Sequence, residues 1–220
     1  NFEKLSINIL DVKYPNREDN ILENLSFEIK KNEIIGIKGE TGSGKSTLID
    51  IISGLLIPTK GKFVLNGKEL NYLPKFWNKN FSYVSQNIAL LDNSIKNNIT
   101  FGDETNLDNN DLEKIIEITQ IKNLIKSSSQ GLETLIGDKG IKLSGGEKQR
   151  IGIARALYLK KDLLIMDEAT NALDEITENK IMSDIKKIKN ITIILISHKK
   201  SSLSYCEKIF KLENKRIIEE

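Results

Sequence analysis

Apolar and polar residues alternate in the N-terminal part of the chain, which is the pattern of strands that bury one face. Leu5, Ile7 and Ile9 alternate with polar neighbours, and residues 25–29 alternate again beyond the polar turn 15–20. A period of two residues places every second side chain on the same face of a sheet. This region is therefore predicted to form an antiparallel sheet.

Two further short strands are predicted before the middle of the chain. Residues 62–65 are followed by Asn66-Gly67, a pair typical of a tight hairpin turn. Residues 81–84 form the second run, and Gln86 comes directly after it. We expect this strand to deliver Gln86 at its carboxyl end.

Three continuous apolar runs predict strands that are buried on both faces. They occupy residues 34–37, 163–166 and 191–196, and polar residues bound each of them. Short uninterrupted runs of this kind are typical of a parallel sheet covered by helices. The pattern therefore predicts an α/β fold.

Between residues 92 and 160 the pattern changes to that of helices. Residues 108–111 offer capping side chains before a helix, and the polar stretch 127–131 interrupts the helical pattern. Apolar positions with helical spacing follow the caps at Leu112, Ile115, Ile116 and Thr119. A helical region is therefore expected between the strands.

A glycine-rich loop joins the first buried strand to an apolar helical segment at residues 48–52. It fits the phosphate-loop pattern G-x-x-x-x-G-K-[ST], and its residues are Gly39, Glu40, Thr41, Gly42, Ser43, Gly44, Lys45, Ser46 and Thr47. Glycines let successive N–H groups point inward at an anion, and the helix directs its positive end to the same place. We expect Lys45 to reach the β- and γ-phosphates and Ser46 to bind Mg²⁺.

A second glycine-rich helix start lies at Ser144, Gly145 and Gly146, and its helix is predicted to run toward Leu159. A helix N-terminus of this kind can bind an anion. It lacks a lysine in the position that Lys45 takes in the first loop.

Chemically capable residues follow the buried strands. Asp167 and Glu168 end the second run, and Ser197 and His198 end the third. Ligands of open α/β sheets bind outside the carboxyl ends of the strands, so Lys45 and these side chains are expected to converge on one crevice. Taken alone, Asp167 is an ordinary loop or capping carboxylate, and a single histidine is more often structural than catalytic. Beside a phosphate loop, Asp167 suits Mg²⁺ and Glu168 suits an attacking water.

The composition argues against a nucleic-acid-binding protein and against a membrane span within this chain. The 220 residues are 39% apolar and 29% charged, and 33 basic against 31 acidic residues give a net charge of +2, which does not support a nucleic-acid-binding surface. Cys206 is the only cysteine, which suits a reducing compartment. No apolar run approaches the ~20 residues of a membrane span, so we expect an isolated domain that is soluble. The start at Asn1, already strand-like, suggests a piece of a longer polypeptide.

Residues 143–150, Leu-Ser-Gly-Gly-Glu-Lys-Gln-Arg, lie between the phosphate loop and the strand ending in Asp167-Glu168. In that order these motifs resemble the ATP-binding cassette (ABC) family over essentially the whole chain. The resemblance implies an ABC ATPase of the P-loop NTPase fold. It comprises a RecA-like core with an antiparallel β subdomain, at 1–91 and 161–220, and an inserted helical signature subdomain at 92–160.

The resemblance also implies roles for single residues. Tyr14, which on its own is a strand-end tyrosine with a ring free to project before Pro15, would stack on adenine. Gln86 would sense Mg²⁺ and the attacking water, Glu168 would be the catalytic carboxylate, and His198 would be the switch histidine. Ser144, Gly145 and Gly146 would complete the ATP site of a second copy, and residues 172–174 resemble the loop that crosses between subunits.

Within the family the chain is similar to exporters. Residues 90–102 resemble the exporter segment that touches the membrane domain, and residues 136–140 resemble the short motif before the signature, with Asp138 where glutamate is commoner. Asn171 stands where serine is usual, and Lys199 where arginine is usual. These departures leave the ATP-site residues in place.

The function expected from the resemblance is hydrolysis of MgATP by the nucleotide-binding domain of an exporter or of a flippase for lipids or lipid-linked glycans. Two domains would close head to tail on two ATP molecules at the cytoplasmic face of the cell membrane, with a transmembrane domain as partner. A soluble ABC ATPase of translation or DNA repair is the alternative, although the chain carries neither a second cassette nor a coiled-coil insertion. The signature and Glu168 argue against a kinase that uses the same loop. Peptide and drug-like cargos also stay open.

Overall fold

The computed structural model describes residues 2–14, 19–101, 109–137, 140 and 142–220, without the side chain of residue 78. By its internal contacts the chain divides into two compact units. The first unit comprises residues 1–81 and 189–220, and the second comprises residues 82–188.

Ten strands occur in the described residues. They are β1 (Lys4–Val12), β2 (Leu22–Lys30), β3 (Ile34–Lys38), β4 (Lys60–Leu65), β5 (Lys68–Leu70), β6 (Phe81–Val84), β7 (Leu163–Asp167), β8 (Thr192–Ile196), β9 (Lys208–Glu213) and β10 (Arg216–Glu219).

Seven α-helices occur in the same residues, together with two 3-10 turns at Lys75–Lys79 and Gly131–Glu133. The helices are α1 (Lys45–Ile52), α2 (Ile95–Thr100), α3 (Asn109–Ile118), α4 (Lys122–Ser127), α5 (Gly145–Tyr158), α6 (Glu175–Ile185) and α7 (Lys200–Leu203).

The antiparallel sheet of the first unit has the strand order β2-β1-β4-β5. Leu5 pairs with Ile29 and Ile7 pairs with Phe27, and all four side chains are buried. The alternation therefore predicted both the strands and the face that packs inward. A buried hydrogen bond of 2.7 Å from Trp77 Nε1 to the carbonyl of the last residue of α1 also belongs to this unit.

A second set of strands in the first unit has the order β10-β9-β3-β8. β3 is parallel to both β8 and β9, whereas β9 and β10 form an antiparallel hairpin. The first four residues of β3 and all of β8 are buried. Together the two sets of strands confirm the predicted α/β fold with a mixed core and an antiparallel sheet.

Close packing explains one glycine in β3. A methyl group at Gly36 would lie 2.8 Å from Leu203 Cδ2 in α7 and 3.0 Å from Cys206 Sγ. A glycine here lets α7 and the segment after it approach the strand.

The second unit contains β6 and β7, which are neighbouring strands, and the helices α2 to α6. The predicted helical positions Leu112, Ile115, Ile116 and Thr119 are buried. Within the described ranges, no helix combines the length and the apolar character that a membrane span requires.

The division by contacts differs from the predicted subdomain boundaries. β7 and α6 fall in the second unit, whereas the predicted core included everything from residue 161 onward. The motif-based division into core and signature subdomain therefore stays a prediction. Several predicted features lie outside the described residues, namely 15–18 of the polar turn, Gly102, the cap Asp108, Asp138 and Lys139.

A half-buried arginine joins α5 to other segments of the second unit. Arg155 donates through Nε to the Asn98 carbonyl at 2.7 Å, through Nη2 to Asn98 Oδ1 at 3.1 Å, and through Nη1 to the Ala89 carbonyl at 2.8 Å. Burial lowers the pKa of this guanidinium from its ordinary value. A methyl group at Gly152, one turn earlier, would lie 2.7 Å from Ile88 Cδ1. α5 is thus held tightly against the segment that follows Gln86.

We expect Arg155→Leu to lower the free energy of unfolding by about 2 kcal/mol, because it leaves the buried Asn98 without its charged donor. Urea denaturation followed by circular dichroism measures the change. Arg216→Leu, at an exposed position of β10, is the matched control and should stay within about 0.5 kcal/mol of the parent. Equal losses in the two variants would contradict this role for Arg155.

Candidate functional site

The phosphate loop begins directly after β3 and ends where α1 begins. Gly44 caps α1 with a φ of 104°, and Gly42 has a φ of 83°, so both adopt backbone that side chains disfavour. A methyl group at Gly44 would lie 2.7 Å from Cδ2 of the buried Leu22. At Gly39 it would lie 2.6 Å from the Leu212 carbonyl oxygen. Backbone conformation therefore favours glycine at positions 42 and 44, and packing favours it at positions 39 and 44.

Two polar groups of the loop suit an anionic ligand. Lys45 Nζ donates to the carbonyls of Gly39 at 2.6 Å and Glu40 at 2.8 Å, so its ammonium already lies against the loop. Ser43 Oγ is buried and has no hydrogen-bond partner in the described part of the chain. A buried hydroxyl without a partner is costly, and a phosphate oxygen is a suitable acceptor for it. The residues present therefore fit a phosphate group.

The remaining residues of the loop differ in exposure. Ser46 is exposed in the first turn of α1, whereas Thr47 is 5% exposed. Thr41 is exposed at the tip of the loop. The hydroxyl of Ser46 is thus the accessible one of the last two.

Tyr14 lies against α1 with its hydroxyl engaged. Its hydroxyl donates to Asp50 Oδ2 at 3.2 Å and lies 3.5 Å from Thr47 Oγ1. The sequence had suggested a ring that projects freely, and the structure instead shows a half-buried ring tied to the helix that follows the phosphate loop. Stacking of this ring on adenine stays a prediction.

His198 follows β8, as the sequence predicted. It is exposed, and the preceding Ser197 is buried with its Oγ accepting a hydrogen bond of 3.1 Å from the Lys199 amide. His198, Tyr14 and the phosphate loop all belong to the first unit.

Asp167 is the last residue of β7 in the second unit, and Glu168 follows it. Tyr83, in β6, donates to Asp167 Oδ2 at 2.9 Å. Glu168 has a φ of 50°, an unusual value for a residue with a side chain, and Asn171 Nδ2 donates to its Oε2 at 2.9 Å. Backbone in such a conformation persists where the surroundings fix it.

Gln149 ties the signature helix α5 to this turn. Its Nε2 lies 3.5 Å from the Glu168 carbonyl oxygen as donor, and its Oε1 accepts from the Ala172 amide at 2.8 Å. Gln149 is only 5% exposed. The second unit therefore joins its two predicted motifs, residues 143–150 and Asp167-Glu168, through one buried amide side chain.

The start of α5 is a complete capping box. Ser144 Oγ accepts from the Glu147 amide at 3.3 Å, and Glu147 Oε2 accepts from the Ser144 amide at 2.7 Å. A methyl group at Gly145 would lie 3.3 Å from Ala172 Cβ, and one at Gly146 would lie 3.0 Å from the Ala172 carbonyl oxygen. The paired glycines thus allow close approach to the segment after Glu168.

Gln86 follows β6, as predicted, and its side chain is exposed. With Asp167, Glu168 and residues 144–146 it belongs to the second unit. The convergence of these residues with Lys45 and His198 on one crevice stays a prediction.

Tyr83, Gln149 and Asp50 are contacts of predicted site residues that sequence reasoning did not assign. Gln149 lies within the signature at residues 143–150, and a polar residue inside a predicted helix could have indicated a buried contact. The Tyr83–Asp167 contact joins positions 84 residues apart, and the Tyr14–Asp50 contact joins positions 36 residues apart. The sequence spacing of these residues did not indicate either contact.

Comparison with known families decides between the possible phosphate-loop proteins. The family described as "ABC transporter" matches residues 22–171, which include the loop, the signature and Asp167-Glu168. The chain belongs to the ABC transporter family. It is an ATP-binding, ATP-hydrolysing domain of that family, and the predicted fold is confirmed.

Relatives in the family are exporters and flippases. An ATP-dependent lipid A-core flippase of Photobacterium profundum is 34% identical over 208 residues, or 94% of this chain. A Rickettsia bellii protein whose name describes an export ATP-binding/permease protein is 37% identical over 207 residues, or 93% of this chain. The chain spans 36% of the length of each.

A solved structure is similar over nearly the whole chain. It is the structure of a bacterial Atm1-family ABC exporter with ATP bound, which matches with a TM-score of 0.90 and 30% sequence identity. The match covers 99% of this chain and 38% of that protein.

Glycine substitutions test the packing of the phosphate loop. Gly42→Ala introduces backbone strain of about 1 kcal/mol, because no atom of the described residues lies within 4 Å of the added methyl group. Gly44→Ala adds overpacking against Leu22, so we expect a loss of about 3 kcal/mol in unfolding free energy and a larger loss of ATP affinity. Urea denaturation and calorimetric ATP titration measure the two effects. Equal behaviour of the two variants would show that Leu22 does not constrain the loop.

Proposed function

We propose that this ABC domain hydrolyses ATP for an exporter, or for a flippase of lipids or lipid-linked glycans. The observation that carries the proposal is the match of 99% of the chain to an exporter structure with ATP bound. The relatives named as a permease and as a lipid A-core flippase support it. Because the chain spans 36% of those relatives, a transmembrane domain in the same full-length protein is part of the proposal, with this domain at the cytoplasmic face of the membrane. The soluble ABC ATPase of translation or DNA repair has no support among these names.

The phosphates of ATP are held by Gly39 to Thr47 in this proposal. Support comes from the positive φ of Gly42 and Gly44 and from the buried Ser43 hydroxyl, which has no hydrogen-bond partner among the described residues. Lys45 exchanges its bonds to the loop carbonyls for bonds to the β- and γ-phosphates, which offer it charged acceptors. Tyr14 stacks on the adenine ring.

Mg²⁺ suits the oxygen donors that the sequence offers. The Ser46 hydroxyl, the Asp167 carboxylate and the Gln86 side-chain carbonyl would hold it, since Mg²⁺ prefers hard oxygen ligands. When bound, Mg²⁺ neutralises charge that develops on the phosphate oxygens.

Hydrolysis requires a positioned water and a proton acceptor. Glu168 takes a proton from the water whose oxygen attacks the γ-phosphorus, the bond from that phosphorus to the bridging oxygen breaks, and ADP and phosphate are the products. Gln86 orients the water, while His198 and Lys45 stabilise the charge on the transferred group. Positioning and electrostatics thus carry the catalysis.

A second copy completes each site in this proposal. Ser144, Gly145 and Gly146 at the start of α5 meet the γ-phosphate bound by the loop of the partner, so two domains close head to tail on two ATP molecules. Ser144 Oγ also donates to Glu147 Oε2 at 2.9 Å, a bond that the phosphate would replace. Closure on ATP drives transport, and hydrolysis resets the pair.

We expect Glu168→Gln to lower kcat by about 100-fold or more while ATP still binds, because the amide accepts no proton from the water. The variant should accumulate as a dimer that retains ATP. Phosphate release measures turnover, and gel filtration with light scattering measures the dimer.

Glu113→Gln, at an exposed position of α3, is the matched control and should turn over ATP like the parent. Parent-like turnover of Glu168→Gln would contradict the assignment of Glu168 as the base.

A further inference from the structure

Glu168 lies in a turn that is fixed at both of its ends. Ala169 and Thr170 are fully buried, and Leu173 is 7% exposed, whereas Asn171 between them is exposed. The backbone N–H of Asn171 donates to the Glu168 carbonyl at 3.1 Å. The backbone of Asn171 is thus held close to that of Glu168.

The signature helix fixes the same turn from the other side. Gln149 approaches the Glu168 carbonyl oxygen through Nε2 and accepts from the Ala172 amide through Oε1. Its burial removes alternative partners in water. The residues on either side of Asn171 therefore have little freedom to move.

The side chain of Asn171, which extends from this fixed turn, contacts the Glu168 carboxylate. Its Nδ2 donates to Glu168 Oε2 at 2.9 Å, a distance typical of a hydrogen bond to a charged acceptor. A carboxylate offers about four lone-pair positions on two oxygens, and the bond from Asn171 occupies one of them. The bond selects one orientation of a side chain that otherwise rotates about several bonds.

We propose that Asn171 is a positioning residue for the hydrolysis reaction, and that its amide orients the Glu168 carboxylate toward the attacking water. The inference rests on the proposed role of Glu168 as general base. A base acts only within hydrogen-bond reach of the water, and small misplacements lower the rate strongly. Asn171 itself does not contact ATP in this account.

Two substitutions distinguish the hydrogen bond that the Asn171 side chain donates from the space that it fills. Asn171→Ala removes the amide, and Asn171→Asp keeps its size and shape but replaces the donor by a second negative charge beside Glu168. We expect kcat to fall about tenfold in Asn171→Ala and further in Asn171→Asp, with KM for ATP within about twofold of the parent. Phosphate release at saturating ATP measures kcat. Asn123→Ala, at an exposed position of α4, is the matched control.

A double-variant cycle shows whether Asn171 acts through Glu168. In the Glu168→Gln background, the residual single-turnover rate should change less than about twofold when Asn171→Ala is added, because the carboxylate that it orients is absent. A tenfold fall in that background would overturn the proposal. A change in KM rather than kcat, or an Asn171→Asp variant with the activity of the parent, would also overturn it.

Variants at the two positions distinguish the positioning role of Asn171 from the proposed function. If Asn171 variants turn over ATP like the parent while Glu168→Gln does not, the positioning role is wrong and the proposed function stands. If Glu168→Gln itself turns over ATP like the parent, the assignment of the base is wrong.

Discussion

The chemistry of this domain depends on buried strands whose polar side chains lie only at their ends. All of β8, the first four residues of β7 and the first four of β3 are buried. Burying a charge inside such strands is costly, so polar residues are confined to their ends. The phosphate loop, Asp167-Glu168 and Ser197-His198 therefore stand where the strands stop.

Within the second unit, three features converge on one short turn. Gly146 lets α5 approach Ala172, Gln149 bonds to the Glu168 carbonyl and the Ala172 amide, and Glu168 adopts a left-handed backbone conformation. Arg155 and Gly152 pack the same helix against the segment after Gln86. Residues on α5 are thus bonded or packed against the segments that carry Gln86 and Glu168, so a displacement of this helix disturbs both.

The sequence was sufficient for the features that depend on local pattern. The alternation of apolar and polar residues predicted that Leu5 and Ile7 lie on the buried face of the sheet, and the spacing of the glycines predicted the phosphate loop. The sequence did not indicate the bond from the Tyr14 hydroxyl to Asp50 or the bond from Asn171 to Glu168. Such contacts depend on side-chain direction in three dimensions, which periodicity does not encode. The bounds of the signature subdomain stay a prediction, because the division by contacts, which assigns β7 and α6 to the second unit, does not test them.

The central claim is that the loop of one copy and the signature of another form one ATP site. Mixing two defective proteins tests it directly, both carrying Glu168→Gln to retain nucleotide: one also carries Lys45→Met, and the other also carries Ser144→Arg. Each alone should remain monomeric, whereas the mixture has one intact composite site and should yield dimers that retain one ATP per two chains, measured by gel filtration and nucleotide quantification. A mixture that retains no more dimer-bound ATP than its separate components would contradict the claim.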